Sequence, residues 1–275
     1  MKSNHDGARR GWGKRIRAGA LVVLGGAALI LALSPAALRH AGVYAAADQP
    51  TVTVVAPTDG QVVTDNAVAV VPQFKNWAQR CDLAGTPNVA GTGHYHVEID
   101  WSLVNMFCGP AVVSLQNVKP GAHTLTILPA KNDHEEIEAA KVQVKIDYQP
   151  SAAMPAVGGL SAGKPSVTVL FPKNGASVSG KTFPLVFDVK NYRLSCDLLG
   201  KPKLGGTGHW HVNVDTMKGP MMGMMTMLNM GCNNTFEVPL AGISKGKHTF
   251  FVLLVDNLHA PLGPGVFGAV TINVR

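Results

Sequence analysis

From residue 51 onward the chain is set by short runs in which apolar and polar residues alternate, separated by turn signals. In the first half these runs fall at 51–55, 67–74, 94–101, 111–115, 123–128 and 141–146. Punctuators such as Pro57-Thr58-Asp59-Gly60 and Lys119-Pro120-Gly121 lie between them. A period of two marks half-buried strands, and no stretch outside the N-terminal region keeps a helical period. Six or seven short strands in about 100 residues predict an antiparallel β-sandwich.

The pattern then repeats. Residues 81–100, CDLAGTPNVAGTGHYHVEID, lie over residues 196–215, CDLLGKPKLGGTGHWHVNVD, at an offset of 115 with 12 of 20 positions identical. The offset grows to 124 at Cys108 and Cys232 and to 125 at His123 and His248, so the second copy carries an insertion. This period is the size of one compact domain and too long for a solenoid unit. The expectation is an all-β protein of two tandem immunoglobulin-like antiparallel sandwiches, at 48–148 and 166–275, with a Met-rich insertion in the second. Residues 149–165, QPSAAMPAVGGLSAGKP, have the Pro, Gly, Ala and Ser content of a flexible linker. Gly158 to Lys164 has the spacing of a phosphate loop, but Pro165 stands where Ser or Thr is required, which excludes that reading.

Residues 1–47 differ in character. A basic stretch (Arg9, Arg10, Lys14, Arg15, Arg17) precedes an apolar run at 18–33, a Ser34-Pro35 break and the small residues Ala45-Ala46-Ala47. That is the layout of a secretory signal peptide followed by a cleavage site; the alternative is an uncleaved membrane anchor. Either way the repeats are exported, to the periplasm or outside the cell, and they are tethered to the inner membrane if the segment is kept. Charge follows the same division. The chain has 24 Lys+Arg and 17 Asp+Glu; residues 1–47 hold seven basic residues and one acid, leaving 17 against 16 and a net charge of +1. A nucleic-acid partner therefore has no electrostatic support, and a membrane contact is expected only through the N-terminal segment. The four cysteines, two per copy, fit an oxidising compartment, and the duplication favours Cys81–Cys108 and Cys196–Cys232 over the other connectivities.

Candidate chemistry centres on histidine. His94, His96, His123 and His134 in the first copy match His209, His211, His248 and His259 in the second. Strand alternation places His94, His96, Glu98 and Asp100 on one face and Tyr95, Val97, Ile99 and Trp101 on the other. Two imidazoles two residues apart on a strand stand roughly 6.6 Å apart at Cα and can share one ion. His134 and His259, in loops joining the last two strands, are the expected third ligands. Asp100 and Asp215 are candidate carboxylate ligands or acceptors that fix an imidazole tautomer. The alternative is a polar surface ladder of histidines and carboxylates. His123 and His248, each before an apolar strand, read as structural: an imidazole N–H can bond the upstream backbone at a sandwich corner. The acidic run Asp133-His134-Glu135-Glu136 reads as an exposed hairpin tip.

Seven of the ten methionines fall within residues 217–230, including Met221, Met222, Met224, Met225 and Met227. Thioethers favour copper(I); the alternative is an adaptable apolar surface. The Gly-Thr-Gly-His-x-His-Val-x-x-Asp strand, with Gly-x-His-Thr and the later His loop, resembles a family of bacterial exported Ig-like domains carrying this motif in tandem. More loosely, the chain is similar to periplasmic copper-resistance sandwich proteins with His- and Met-rich sites. The first resemblance implies a β-sandwich and export but no activity. The second implies copper handling, although those proteins neither duplicate the domain nor confine their methionines to one copy.

These readings make the chain an exported metal-binding protein for copper, with zinc as the alternative ion. The competing expectation is a non-catalytic envelope module that binds another envelope protein, its histidines serving as scaffold. No nucleophile elbow and no suitable Ser/His/Asp set is present, so an enzyme is not expected.

Overall fold

The computed structural model describes residues 49–161 and 163–275; the segment read as a signal peptide or anchor, 1–47, lies outside them. Each copy contributes nine strands, and the two sets correspond one to one. In the first copy they are β1 (Thr51–Ala56), β2 (Gln61–Val63), β3 (Ala67–Lys75), β4 (Ala78–Gln79), β5 (Thr92–Ile99), β6 (Ser102–Phe107), β7 (Ala111–Ser114), β8 (Gly121–Ala130) and β9 (Val142–Tyr148). In the second they are β10 (Ser166–Phe171), β11 (Ser177–Val178), β12 (Thr182–Lys190), β13 (Arg193–Leu194), β14 (Thr207–Val214), β15 (Met227–Gly231), β16 (Thr235–Pro239), β17 (Gly246–Asp256) and β18 (Phe267–Val274).

The strands form two sheets per copy, ordered β1-β3-β7 and β2-β9-β8-β5-β4 in the first. In the second they run β10-β12-β16 and β11-β18-β17-β14-β13. β6 and β15 pair with β5 and β14 off the main path. This is a tandem Ig-like all-β architecture, as the alternation predicts. Among the described residues helix is confined to three-residue 3₁₀ turns, and no helix is long and apolar enough to cross a membrane.

One face of β5 supplies Tyr95, Val97 and Ile99 to a core shared with Val68, Val70, Val113, Leu125, Ile127 and Ile146. Trp210, Val212 and Val214 do the same in the second copy, against Phe183, Leu185, Phe187, Phe250 and Val252. Each copy thus has its own core, and each buried aliphatic or aromatic side chain contributes about 1.5–3 kcal/mol. Cys81–Cys108 and Cys196–Cys232 are bonded within their copies. In the chain-entropy model these loops contribute roughly 3–4 kcal/mol each.

Two expectations change. Trp101 does not continue the core face of β5: Asp100 and Trp101 take positive φ (48° and 70°), turning the chain directly into β6. The indole is 68 % exposed, with Lys141 Nζ over its ring. More consequentially, the histidine-bearing face of the strand is not a surface. All eight residues of β14 are buried, and on β5 His94 and His96 are as buried as the core side chains between them. Leu128 and Ala130 of β8 flank these histidines on the same face and are buried too. The cover comes from the other copy. Ala84 and Met106 of the first copy pack with Met227 and Met230 of the second in one small apolar cluster.

The linker runs between the copies along both. Gln116 Nε2 and Asn117 Nδ2 donate to the carbonyls of Pro155 and Val157, and Leu160 N donates to Gly205 O.

Candidate metal centres

The strand that carries the first two ligands is seated by a glycine. A Cβ on Gly93 would collide with the Ala130 carbonyl oxygen and the Trp77 ring; on Gly208 it would collide with Val255 O and the Tyr192 hydroxyl. The Gly-Thr-Gly element therefore lets β5 and β14 press against their neighbours immediately before the His-x-His pair. The third histidine comes from the turn after β8 or β17. His134 and His259 hold φ of 66° and 63°, in the left-handed region that Asn, Asp and His enter more readily than other residues with a side chain. The same left-handed turn recurs at the same histidine in both copies and aims each ring back at the His-x-His pair.

These elements bring three imidazoles together in each copy. His94 Nε2 lies 3.1 Å from His96 Nε2 and 3.0 Å from His134 Nδ1. His209 Nε2 lies 3.0 Å from His211 Nε2 and 2.9 Å from His259 Nδ1, and the last pair closes at 3.4 Å. Each set offers one nitrogen per residue to a common point, and all six residues are buried. The three histidines expected as ligands in each copy converge, and the one read as structural stands apart.

Neighbouring acceptors fix which nitrogen is bare. His134 Nε2 is 2.6 Å from the Met227 carbonyl and His259 Nε2 is 2.8 Å from the Leu103 carbonyl. A carbonyl only accepts, so those nitrogens carry the proton and Nδ1 presents a lone pair. His96 Nδ1 lies 2.6 Å from Glu136 Oε1. The hydrogen bond from His96 holds the Glu136 carboxyl below its ordinary range, so it accepts from Nδ1–H and keeps His96 Nε2 turned to the centre. His94 Nδ1 has no partner of its own; nor has His209 Nδ1. In each triad the third histidine turns a bare Nδ1 to the centre.

Burial, followed by the neighbouring imidazoles, pushes His94, His209 and His211 well below the usual histidine range. Burial pushes His134 and His259 down to about 4. At neutral pH these are neutral nitrogen donors, the form that binds a metal. Metal–nitrogen bonds of 2.0–2.1 Å in a tetrahedral site require nitrogens about 3.3 Å apart, close to the 2.9–3.4 Å of the second triad.

The remaining candidates are placed elsewhere. Asp100 and Asp215 do not approach the triads. Their Oδ2 atoms accept from Nδ1 of His123 (2.6 Å) and His248 (2.7 Å), and Oδ1 accepts from the Thr124 and Thr249 amides. The other ring nitrogens of His123 and His248 meet the carbonyls of Lys119 and Ser244, the corner bond expected of a structural histidine. In the acidic run, Glu135 is exposed and pairs with Lys131, as a hairpin tip should. Glu136, however, is two-thirds covered and orients a ligand, which the sequence did not reveal.

Met221, Met222 and Met224 are half-buried and Met225 is exposed, on two 3₁₀ turns leading into β15. Thr226 Oγ1 donates to Thr216 O, and Asn213 Nδ2 to Gly223 O, tying this loop to β14. Met227 turns its side chain into the apolar cluster between the copies and its carbonyl onto His134.

No family model and no curated protein matches the chain. Solved structures with a similar fold include fibronectin(III)-like modules of Clostridium thermocellum CbhA, at 13 % identity over 82 % of this chain and 94 % of that one, TM-score 0.27. Human mucin-like protocadherin EC1-2 is similar at 12 % identity over 82 % and 98 %, TM-score 0.20. These likenesses concern the fold alone.

Glu136 has no counterpart in the second copy, where Pro261 occupies the equivalent bridge position. An acceptor on the far nitrogen of a ligating histidine typically carries 10–100-fold in metal affinity. Glu136→Gln is therefore expected to weaken zinc binding at His94/His96/His134 by about 10–100-fold. Calorimetric titration of the change in a His209→Ala/His211→Ala background isolates that triad; an unchanged affinity would remove Glu136 from the site.

Proposed function

We propose that the chain is an exported metal-binding protein that holds one copper ion in each copy, with zinc as the alternative ion. The observation that carries this is the convergence of three buried imidazoles in each copy, one nitrogen apiece turned to a common point at the mutual spacing of metal ligands. Imidazole donors suit copper and zinc and exclude the hard cations that require oxygen.

The preference for copper rests on the methionines. Met221, Met222, Met224 and Met225 sit on the loop leading into β15, whose first residue, Met227, braces His134. Thioethers there would receive copper(I) and pass it to the nearby imidazoles. Burial of all six histidines leaves little room for a substrate at a fourth coordination position, which favours storage or transfer of the ion over catalysis. The partners in this reading are the ion and the envelope protein that delivers or takes it. The near-neutral repeats offer nothing to nucleic acid.

Titration of the purified, metal-stripped chain with copper(II), copper(I) and zinc should give two ions per chain. His94→Ala/His96→Ala or His209→Ala/His211→Ala should each remove one, and the four changes together should remove both. Full stoichiometry in the fourfold variant would leave the histidines as scaffold.

A further inference from the structure

The two triads are not independent in the structure, because each is braced by the other copy. His134 of the first copy donates to Met227 O of the second, and His259 of the second donates to Leu103 O of the first. These are matched positions: Met227 and Leu103 are offset by 124, His259 and His134 by 125. The two halves therefore exchange the same contact, as the subunits of a symmetric dimer do.

A second pair of contacts repeats the exchange. Gly85 (φ +72°) of the first copy lies against Met227 so closely that a Cβ would stand 2.7 Å from its carbonyl carbon and oxygen. Gly200 (φ +71°) of the second lies against Leu103, where a Cβ would stand 2.9 Å from the oxygen. Each glycine amide is bonded to the residue two before a ligand: Gly85 N to Asn132 O, and Gly200 N to Asn257 O. On the strands, Met106 pairs with His96 and Met230 with His211, and both methionines belong to the apolar cluster between the copies.

We propose that the two triads are a coupled pair, in which a metal ion in either triad locks the copies together and so raises the affinity of the other triad. This rests on the metal-binding reading above. Each triad takes its three ligands from one copy, and the acceptor that holds its third ligand comes from the other. Any separation of the copies removes that acceptor from His134 and His259 at once. Both sites thus require the same docked arrangement, and an ion bound at one raises the population of the arrangement the other needs. Coupling between sites that share one two-state element is typically 5–150-fold.

The test is a thermodynamic cycle with zinc, measured by competition against a chromophoric chelator. The affinity of the first triad is measured in the His209→Ala/His211→Ala chain, that of the second in His94→Ala/His96→Ala, and the overall two-ion constant in the unaltered chain. The expected result is an overall constant at least about tenfold above the product of the two single-site constants. A ratio of one overturns the coupling while leaving the metal reading intact; no zinc in the unaltered chain overturns both. Gly200→Val tests the coupling with all six ligands present. It wedges the second copy away from Leu103 and is expected to weaken the first triad as well as the second. Weakening of the second triad alone would mark a local effect and sink the proposal.

Discussion

Zinc supplied at a thousandfold excess over its Kd is expected to stabilise the metal-free chain by about 4 kcal/mol for each triad it fills. The gain comes from the difference between the two ends of the folding equilibrium. In the fold the three nitrogens of the second triad, for example, are held 2.9–3.4 Å apart. In the unfolded chain His94 and His134 are separated by 40 residues, and no such tripod exists. For chains of this size a kcal/mol is worth roughly 2–4 °C in Tm, so one filled triad should raise the midpoint by about 10 °C. Differential scanning calorimetry with and without zinc reads this directly. The chain carrying Ala at 94, 96, 209 and 211 should melt at one temperature under both conditions. An equal rise in that variant would show that zinc acts elsewhere.

Acid should destabilise the metal-free protein well before its carboxylates titrate. His134 and His259 are pushed down to about 4 by burial, whereas in the unfolded chain they titrate near 6.5. Below 6.5 the unfolded state binds protons that the fold refuses, so stability falls as pH falls and the loss is complete near pH 4. Above 6.5 neither state is protonated and the contribution is fully present. The loss is on the order of 3 kcal/mol for each of these two imidazoles. His94, His209 and His211 are shifted in the same direction and steepen the slope. Glu136 works in a separate, lower window: its depressed pKa adds stability above the ordinary carboxylate range and loses it only as pH falls through the folded value. Urea midpoints at pH 7, 6 and 5 should therefore fall steeply in the metal-free chain and less in one whose triad histidines are replaced. A flat profile between pH 7 and 5 would mean that the imidazoles are not held neutral by burial.

Much of the architecture is written in local patterns. The period of two set six of the nine strands of the first copy and missed the short β2 and β4 and the returning β6; the offset of 115 set the duplication, and the count of two cysteines per copy set the pairing found at Cys81–Cys108 and Cys196–Cys232. His-x-His had to share a face because alternation leaves no other arrangement, and the loop after β8 had to return near it because β8 pairs with β5. The same reasoning failed at Trp101 because alternation assumes that the strand continues. The positive φ of Asp100 and Trp101 ends it, and a tight turn made without Gly, Pro or Asn leaves little trace in the sequence. It failed at Asp100 and Asp215 for a related reason: once the strand has ended, their carboxylates point to the corner histidines and away from the triads.

What the sequence alone determined is which side of the strand each histidine occupies and which third histidine joins it. Tertiary structure decided that this polar side is an interior. Alternation distinguishes two faces of a sheet but is silent on whether a second layer covers the polar one, and here the covering layer is the other copy, through Met106, Met227 and Met230. It also decided which groups hold the imidazoles in place. Glu136 looked like one more acid in an exposed run until the fold set it 2.6 Å from His96. The carbonyls of Met227 and Leu103 belong to every residue alike and carry no mark in a sequence, so only the packing of one copy on the other could select them.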